Sequence, residues 1–380
     1  MQRDAFSAED VLRKAHAVGQ YYGFTSLSAL AAASRGTATK TAYPENLVID
    51  SLDQTAQSIA SFLKQCRDNG IAPGLGKPLF LWHTNIAPGR AAPKQATVQF
   101  HAIGADRAIA DAVVIRALRA LTQDLFKDEP KIRINTLGDK ETRARFAREL
   151  GNFFKKRAAT LPEDCTNCAK RDVFEAADLL IERACADDLP APTDHLSDAS
   201  RKRFEELLEY LEMTETPYEL APCLISRGAT WSETCFEFKV NDRVVAWGSR
   251  YNDLARAFFK TPVTAAGAVL RIETATDKVP PAKKPSRMRF VFVHIGEEAK
   301  RTSIRLAEEF KRAHVPLAQT IGLESLSEQM LHVEKTNPPY MLIMGRKEAL
   351  EGSAVLRNRE TQEDLILPLL GLAEHLKDLV

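Results

Sequence analysis

The chain lacks any run of eighteen apolar residues, so no membrane-spanning helix is expected. It also lacks an excess of either charge. With 52 Lys and Arg against 51 Asp and Glu there is no global basic field, and any nucleic-acid contact must come from local patches. The six cysteines are scattered and form no disulfide framework, which points to a reduced, cytoplasmic setting. The stretch MQRDAFSAEDVLRKAHAV carries acids and has no apolar h-region, so a signal peptide is not expected. One Cys-x-x-Cys pair, Cys165 and Cys168, has no second pair at zinc spacing. Neither Cys185 nor His195 completes a set, so no metal is expected and EDCTNCAKR reads as a loop between helices.

What is present is an ordinary globular composition, 44% hydrophobic and 27% charged, over 380 residues. That length implies two or three domains. SAEDVLRKAHAVGQYYGF reads as a helix with a Ser N-cap and acids in its first turn. A second helix within YPENLVIDSLDQTAQSIASFLKQCRDNG is stopped by Asn69-Gly70. KPLFLWHTNIAPGR and KQATVQFHAIG form a predicted antiparallel hairpin, and CFEFKVNDRVVAWGSRYNDL holds two strands around an Asn-Asp turn. DRAIADAVVIRALRALTQDLF, DKETRARFARELGNFFKKRAATL and SDASRKRFEELLEYLEMT are predicted helices, IRINTLG a strand, and AAGAVLRIE a strand or a helix start. Residues 1–274 therefore read as an α+β core, an antiparallel sheet with flanking helices. Residues 275–287, ATDKVPPAKKPSR, hold three Pro and three Lys and form a tether. Residues 288–380 alternate strands and helices, the pattern of an α/β domain. In that domain KEALEGSAVLRNRE reads as a short hairpin and TQEDLILPLLGLAEHLKDL as a last helix.

Several segments, in order, carry a family resemblance. YMLIMGRKEALEGSAVLRNRETQEDL resembles the C-terminal anticodon-binding domain of histidyl-tRNA synthetases, which are class II enzymes. RINTLGDKETRARFARELGNFF is similar to the stretch beyond their second motif. YELAPCLISRGATWSETCFEF is similar to their histidine-binding segment, and GSRYNDL to their Gly-Gly-Arg-Tyr-Asp turn. The resemblance runs from about residue 78 onward and faintly through YYGF. It implies a class II synthetase-like core with an anticodon-binding-like domain, a homodimer paired through the first motif, and contact with histidine tRNA. ATP and Mg are implied only if the ligase reaction survives.

The family's substrate residues carry over unevenly. Amino-acid activation brings a carboxylate against a phosphate, so fixed cations are required. Arg90 stands at the second-motif arginine, but Gly89 replaces the usual Phe, and ATVQ follows where Gly-Arg-x-Arg is usual. Arg227 stands at the histidine-segment arginine, but both tyrosines after it are gone and Trp231 intrudes; Glu237 is kept. Ala102 replaces a Gln, and Asp106 a Glu. Thr274 stands where the third motif ends in Arg, and Arg271 where it has Gly. SLDQTAQSIASF occupies the region of the Leu-Arg-Pro-Glu substrate segment and lacks its Arg. Arg250 and Tyr251 belong to the turn that is kept. In the tail, Tyr340, Arg346, Lys347, Arg357, Asn358 and Arg359 stand around the anticodon site. Each has a plainer reading: Arg227 as a bridge to Glu233 or Glu237, Arg90 as a solvated charge, Trp231 as a core plug, Tyr340 as a buried strand residue, and His83 and His101 as core or surface histidines. The pattern leads to a histidyl-tRNA synthetase-like protein with lost or weakened aminoacylation and a retained tRNA- or protein-binding role. The alternatives are an active divergent ligase and a regulatory synthetase-like subunit of histidine biosynthesis.

Overall fold

The computed structural model describes residues 6–33, 40–45, 47–49, 52–74, 77–86, 94–183, 188–225, 231–274, 288–323 and 325–379. The N-terminal part begins with helices α1 (Ala8–Tyr21), α2 (Leu27–Ala33) and α3 (Gln54–Asp68), with the short strand β1 (Thr25–Ser26) between the first two. Asp53 starts α3 by accepting from the backbone N–H groups of Thr55 and Ala56. Strands β2 (Leu79–Ile86) and β3 (Lys94–Ile103) pair antiparallel as expected, from Leu79 opposite Ile103 to Ile86 opposite Ala96. Then come α4 (Ile109–Phe126), β4 (Lys131–Thr136), α5 (Lys140–Lys156), α6 (Glu163–Ala169), α7 (Val173–Glu182), α8 (Asp198–Met213) and β5 (Glu219–Leu220). Strands β6 (Ser232–Val240) and β7 (Arg243–Arg250) turn at Asn241-Asp242, both at positive φ, the left-handed geometry that this turn type demands. Helix α9 (Asn252–Phe259) and strand β8 (Ala265–Thr274) complete the core. EDCTNCAKR corrects its loop reading. It contains helix α6, opened by Pro162, with Cys165 and Cys168 both buried on its inner side.

The eight strands lie in the order β1-β2-β3-β8-β7-β6-β4-β5. All neighbours are antiparallel except the edge pairs β1–β2 and β4–β5. Because side chains alternate along each strand, the register sorts the sheet into two faces. On one, called the back, Trp82, Phe100, Ala268, Phe236 and Ile134 form a cross-strand row packed with α1, α4 and α8 residues in one core. The front holds Leu81, His101, Gly267, Ser249, Cys235 and Asn135 in one row, and residues of α3, α5, α7 and α9 pack there in a second core. Two glycines are needed for these rows. A Cβ on Gly248 would meet the Phe236 ring at 2.3 Å, and one on Gly267 would meet His101 Nδ1 at 2.3 Å.

The C-terminal part holds β9 (Phe290–His294), α10 (Glu297–Arg312), β10 (Leu317–Ala318), α11 (Leu326–Thr336), β11 (Tyr340–Met344), α12 (Arg346–Glu351), β12 (Ser353–Asn358), β13 (Asp364–Pro368) and α13 (Leu372–His375). Its sheet order is β10-β9-β11-β12-β13, parallel across the first three and antiparallel beyond. Two expectations are corrected. KEALEG is the helix α12, and the hairpin is formed by β12 with β13. The predicted last helix is therefore strand in its first half, Asp364–Pro368, and helical only from Leu372. Leu365–Leu367 pair along β12, and Pro368 and Gly371 delay the helical turn to Leu372. Helix α10 lies on the back of the core. The Arg116 guanidinium donates to the Ile304 carbonyl and to Glu308 at 2.8 Å, and Lys311 donates to Asp124 at 2.9 Å. Ile304, Ala307 and Ile321 join the core cluster of α1 and α4. No helix among the described residues is long and apolar enough to cross a membrane.

A single buried ion pair fixes the sheet to α4. Arg250 and Asp111 have side chains 1% exposed, and the Arg250 Nε donates to both Asp111 oxygens at 3.1 and 3.0 Å. Its remaining donors reach the carbonyls of Ala105 and Arg107. Asp111→Ala leaves this guanidinium buried and uncompensated, so it should cost roughly 3–5 kcal/mol in urea unfolding. A loss under about 1 kcal/mol would contradict the clamp.

Candidate substrate face

The front face is polar where the back is apolar. One cross-strand row reads His83, Gln99, Val269, Trp247, Glu237 and Arg133, and the next reads Asn85, Thr97 and Arg271. The start of α3 lies above this face, and Arg271 Nη1 donates to Thr55 Oγ1 at 3.1 Å. Burial and the nearby Asp53 act in opposite senses on Arg271. Burial is the larger and pulls its pKa below the usual arginine value. Arg133 donates to Glu237 at 2.5 Å, and Lys239 lies 3.5 Å from the same oxygen.

A chain of bonds runs deeper into the face. His101 is fully buried and stacks on Phe62 with ring centroids 3.7 Å apart. Its Nε2 is 3.0 Å from Gln99 Oε1, which can only accept, so Nε2 carries the proton. Nδ1 therefore accepts from the Tyr251 hydroxyl at 2.8 Å. This neutral pattern agrees with the burial that holds the His101 pKa well below 6.5 and the Tyr251 pKa well above 10. Burial also lowers His83 to about 4. Its Nε2 lies 3.3 Å from Gln65 Nε2 on α3.

Trp231 is 1% exposed. Its indole Nε1 donates to Asp53 Oδ2 at 3.0 Å while Asp53 Oδ1 caps α3. The indole meets Trp247 edge-on at 4.6 Å, and the Trp231 carbonyl accepts from Arg143. Every oxygen of Asp53 is thus engaged by the chain itself.

The expected site residues divide three ways. Trp231, Glu237 and Tyr251 come together on the front. Ala102, Arg250 and Thr274 do not, and this corrects their placement in a ligand pocket. Ala102 is opposite Ala266 and packs in the back core; Arg250 is opposite the same Ala266 and clamps α4. Thr274 is fully buried at the end of β8, where Phe6 bridges to it and the Phe6 N–H donates to the Glu273 carbonyl at 3.0 Å. Asp106 also leaves the pocket. Its side chain is 68% exposed on the loop before α4 and is held by Arg203 at 2.9 Å. Arg90 and Arg227 lie outside the described residues. Sequence reasoning read His101 as a core or surface histidine and did not single out Gln99, although the one-residue alternation of β3 turns them, not Ala102, toward α3.

In the tail, Tyr340 stacks on Phe290 at 5.4 Å as a half-buried strand residue. Arg357 makes a two-pronged bond to Asp364 at 2.7 and 2.6 Å. The Asn358 side chain accepts from the Glu360 and Thr361 N–H groups, and Arg359 donates to Asn337 at 2.6 Å. Arg346 and Lys347 are exposed at the start of α12.

An antiparallel sheet edged by parallel strands and an appended mixed α/β domain give the chain a class II aminoacyl-tRNA synthetase-like fold. Residues 289–379 match the family described as Anticodon binding domain. A histidine–tRNA ligase of Fervidobacterium nodosum is 26% identical over 74% of this chain and 70% of its own length, and one of Rhodococcus erythropolis is 26% identical over 98% and 88%. The apo structure of histidyl-tRNA synthetase from S. aureus aligns over 95% of this chain and 93% of its own, at 18% identity and a TM-score of 0.47. The chain is thus similar to histidine–tRNA ligases over most of its length, and its C-terminal residues match an anticodon-binding domain.

The desolvated histidines, His101 buried and His83 partly buried, make stability pH-dependent. His83 takes its proton at about pH 4 when folded and near 6.5 when unfolded, so its contribution is intact above pH 6.5 and lost as pH falls toward 4. The loss is roughly 3 kcal/mol at about 1.4 kcal/mol per unit. His83→Gln should flatten the unfolding free energy between pH 6.5 and 4 by that amount; an unchanged slope would contradict burial of a neutral His83.

Proposed function

We propose that this chain is a histidyl-tRNA synthetase-like protein that no longer forms an adenylate and acts through binding. One observation carries the reading: the Trp231 indole donates to Asp53. Trp231 comes from the segment similar to the family's histidine-binding stretch, and Asp53 from the region of its Leu-Arg-Pro-Glu substrate segment. A donor of the chain itself thus holds the carboxylate between them. Arg271 adds a guanidinium on the same face where the family has Gly, and Thr274 supplies no cation there. Missing preorganised cations cost on the order of 10²–10³ in rate each.

The retained role is tRNA or protein binding through the anticodon-binding-like domain, in a homodimer. For tRNA the available charge is small. Residues 288–380 hold twelve Lys and Arg against fourteen Asp and Glu, and Arg357 is paired with Asp364. Arg346 and Lys347 are left as the exposed cations of the expected set, so tRNA contact would rest on few phosphates and be weak in salt.

Histidine-dependent ATP–pyrophosphate exchange tests the reading. Exchange should be at least about 10³-fold below that of an ordinary synthetase run beside it, given two or more lost contacts. Comparable exchange would establish the divergent ligase instead. A gel-shift series with histidine tRNA should show binding only at low salt, with a shallow slope of about two phosphates. No shift at the lowest salt would remove tRNA and leave protein binding.

A further inference from the structure

The front face carries two polar atoms that its own contacts leave unsatisfied. Arg271 Nη2 and Thr97 Oγ1 are buried and have no hydrogen-bond partner among the described residues. They are not scattered. Thr97 on β3 is directly opposite Arg271 on β8, and Thr97 is directly opposite Asn85 on β2. The three side chains therefore stand in one row on one face, with Asn85 exposed at its outer end. Arg271 Nη1 is already engaged by Thr55, which leaves Nη2 available to another acceptor.

We infer that this row binds a small carboxylate, an assignment that rests on the nucleotide site being closed. An unpaired buried donor costs about 1–3 kcal/mol, and two adjacent ones are satisfied together by a ligand that accepts from both. The guanidinium N–H can only donate, and the hydroxyl and the carboxamide N–H₂ can each donate beside it, so a ligand with acceptor oxygens satisfies all three. Among the described residues of this row Arg271 carries the one full positive charge, and the Asp53 carboxylate is near enough to act on it. A single negative charge is matched there, and a doubly charged phosphate is opposed. The carboxylate oxygens take the Arg271 Nη2–H and the Thr97 hydroxyl, with the Asn85 carboxamide at the mouth.

The probe is sodium acetate, titrated against thermal unfolding of the full chain at pH 7.5, with sodium chloride replacing it at constant ionic strength. Acetate should raise Tm along a saturating curve. Sodium phosphate, mostly doubly charged at that pH, should give a weaker response at the same concentration. Arg271→Gln should abolish the acetate shift, and Arg133→Gln, on the same face but bonded to Glu237, should keep it. Thr97→Val preserves shape and reads the site should the Arg271 variant not fold; it should raise the half-saturating acetate concentration about 10-fold, the effect of one hydrogen bond to a charged group. A shift that rises linearly without saturation, or is equal in wild type and Thr97→Val, overturns the site and leaves the orphan atoms to ordered water. A response to phosphate stronger than to acetate overturns the carboxylate assignment. The closed-site reading fails separately: ATP–pyrophosphate exchange would sink it whether or not acetate binds.

Discussion

The hydrogen bond from Trp231 to Asp53 is the contact on which the account depends. Asp53 is half-buried and caps α3, so its carboxylate cannot move without unravelling the helix start. An indole donates to it, buried to 1% and braced by Trp247; on the proposed reading it stands where the family's substrate would lie. Tryptophan has one donor and a large rigid body, so it satisfies the acid and fills the volume at once. Below it the face is already tied: His101 to Gln99 and Tyr251, Glu237 to Arg133, Arg271 to Thr55. These bonds give a packed, internally hydrogen-bonded polar face.

The two halves of the molecule are joined on the opposite face. The polar front and the docked C-terminal domain lie on opposite sides of one sheet, with α4 between the sheet and α10. Arg116 and Lys311 bridge the two helices, while Ile304 and Ala307 add apolar contact. Partly buried, hydrogen-bonded pairs of this kind specify one docking geometry more than they add stability. The C-terminal sheet is therefore held in a set orientation to the core, which a Pro- and Lys-rich tether does not by itself convey.

Much of the fold was legible. Hairpins with alternating residues around Asn241-Asp242 and amphipathic helices with capped starts have strong local signals, and the structure has them. What was not legible depended on relations between strands. Ala102 and His101 are neighbours in the sequence, yet the pleat sends them to opposite faces, and no pattern of residue types decided which face met α3. The resemblance ranked Ala102 as the site residue, and the register makes it a back-core alanine. Arg250 was read as part of a pocket, and its partner Asp111 is 139 positions away in sequence, so the clamp was invisible before the sheet closed on α4. β13 was taken for helix because Leu-rich runs suit both periods, and its pairing with β12 decided it. Among the binding residues, the tail cations Arg357 and Arg359 looked available until their partners Asp364 and Asn337 came into place.

The central claim is that the chain itself fills the place of the substrates. The most direct test is calorimetric titration with a non-hydrolysable analogue of histidyl-adenylate, which needs only an open site and no catalytic step. The account predicts no saturable heat with the wild-type chain at concentrations where an ordinary histidyl-tRNA synthetase is saturated. Tight, stoichiometric binding by the wild type would show that the indole yields to the ligand, and would contradict the account.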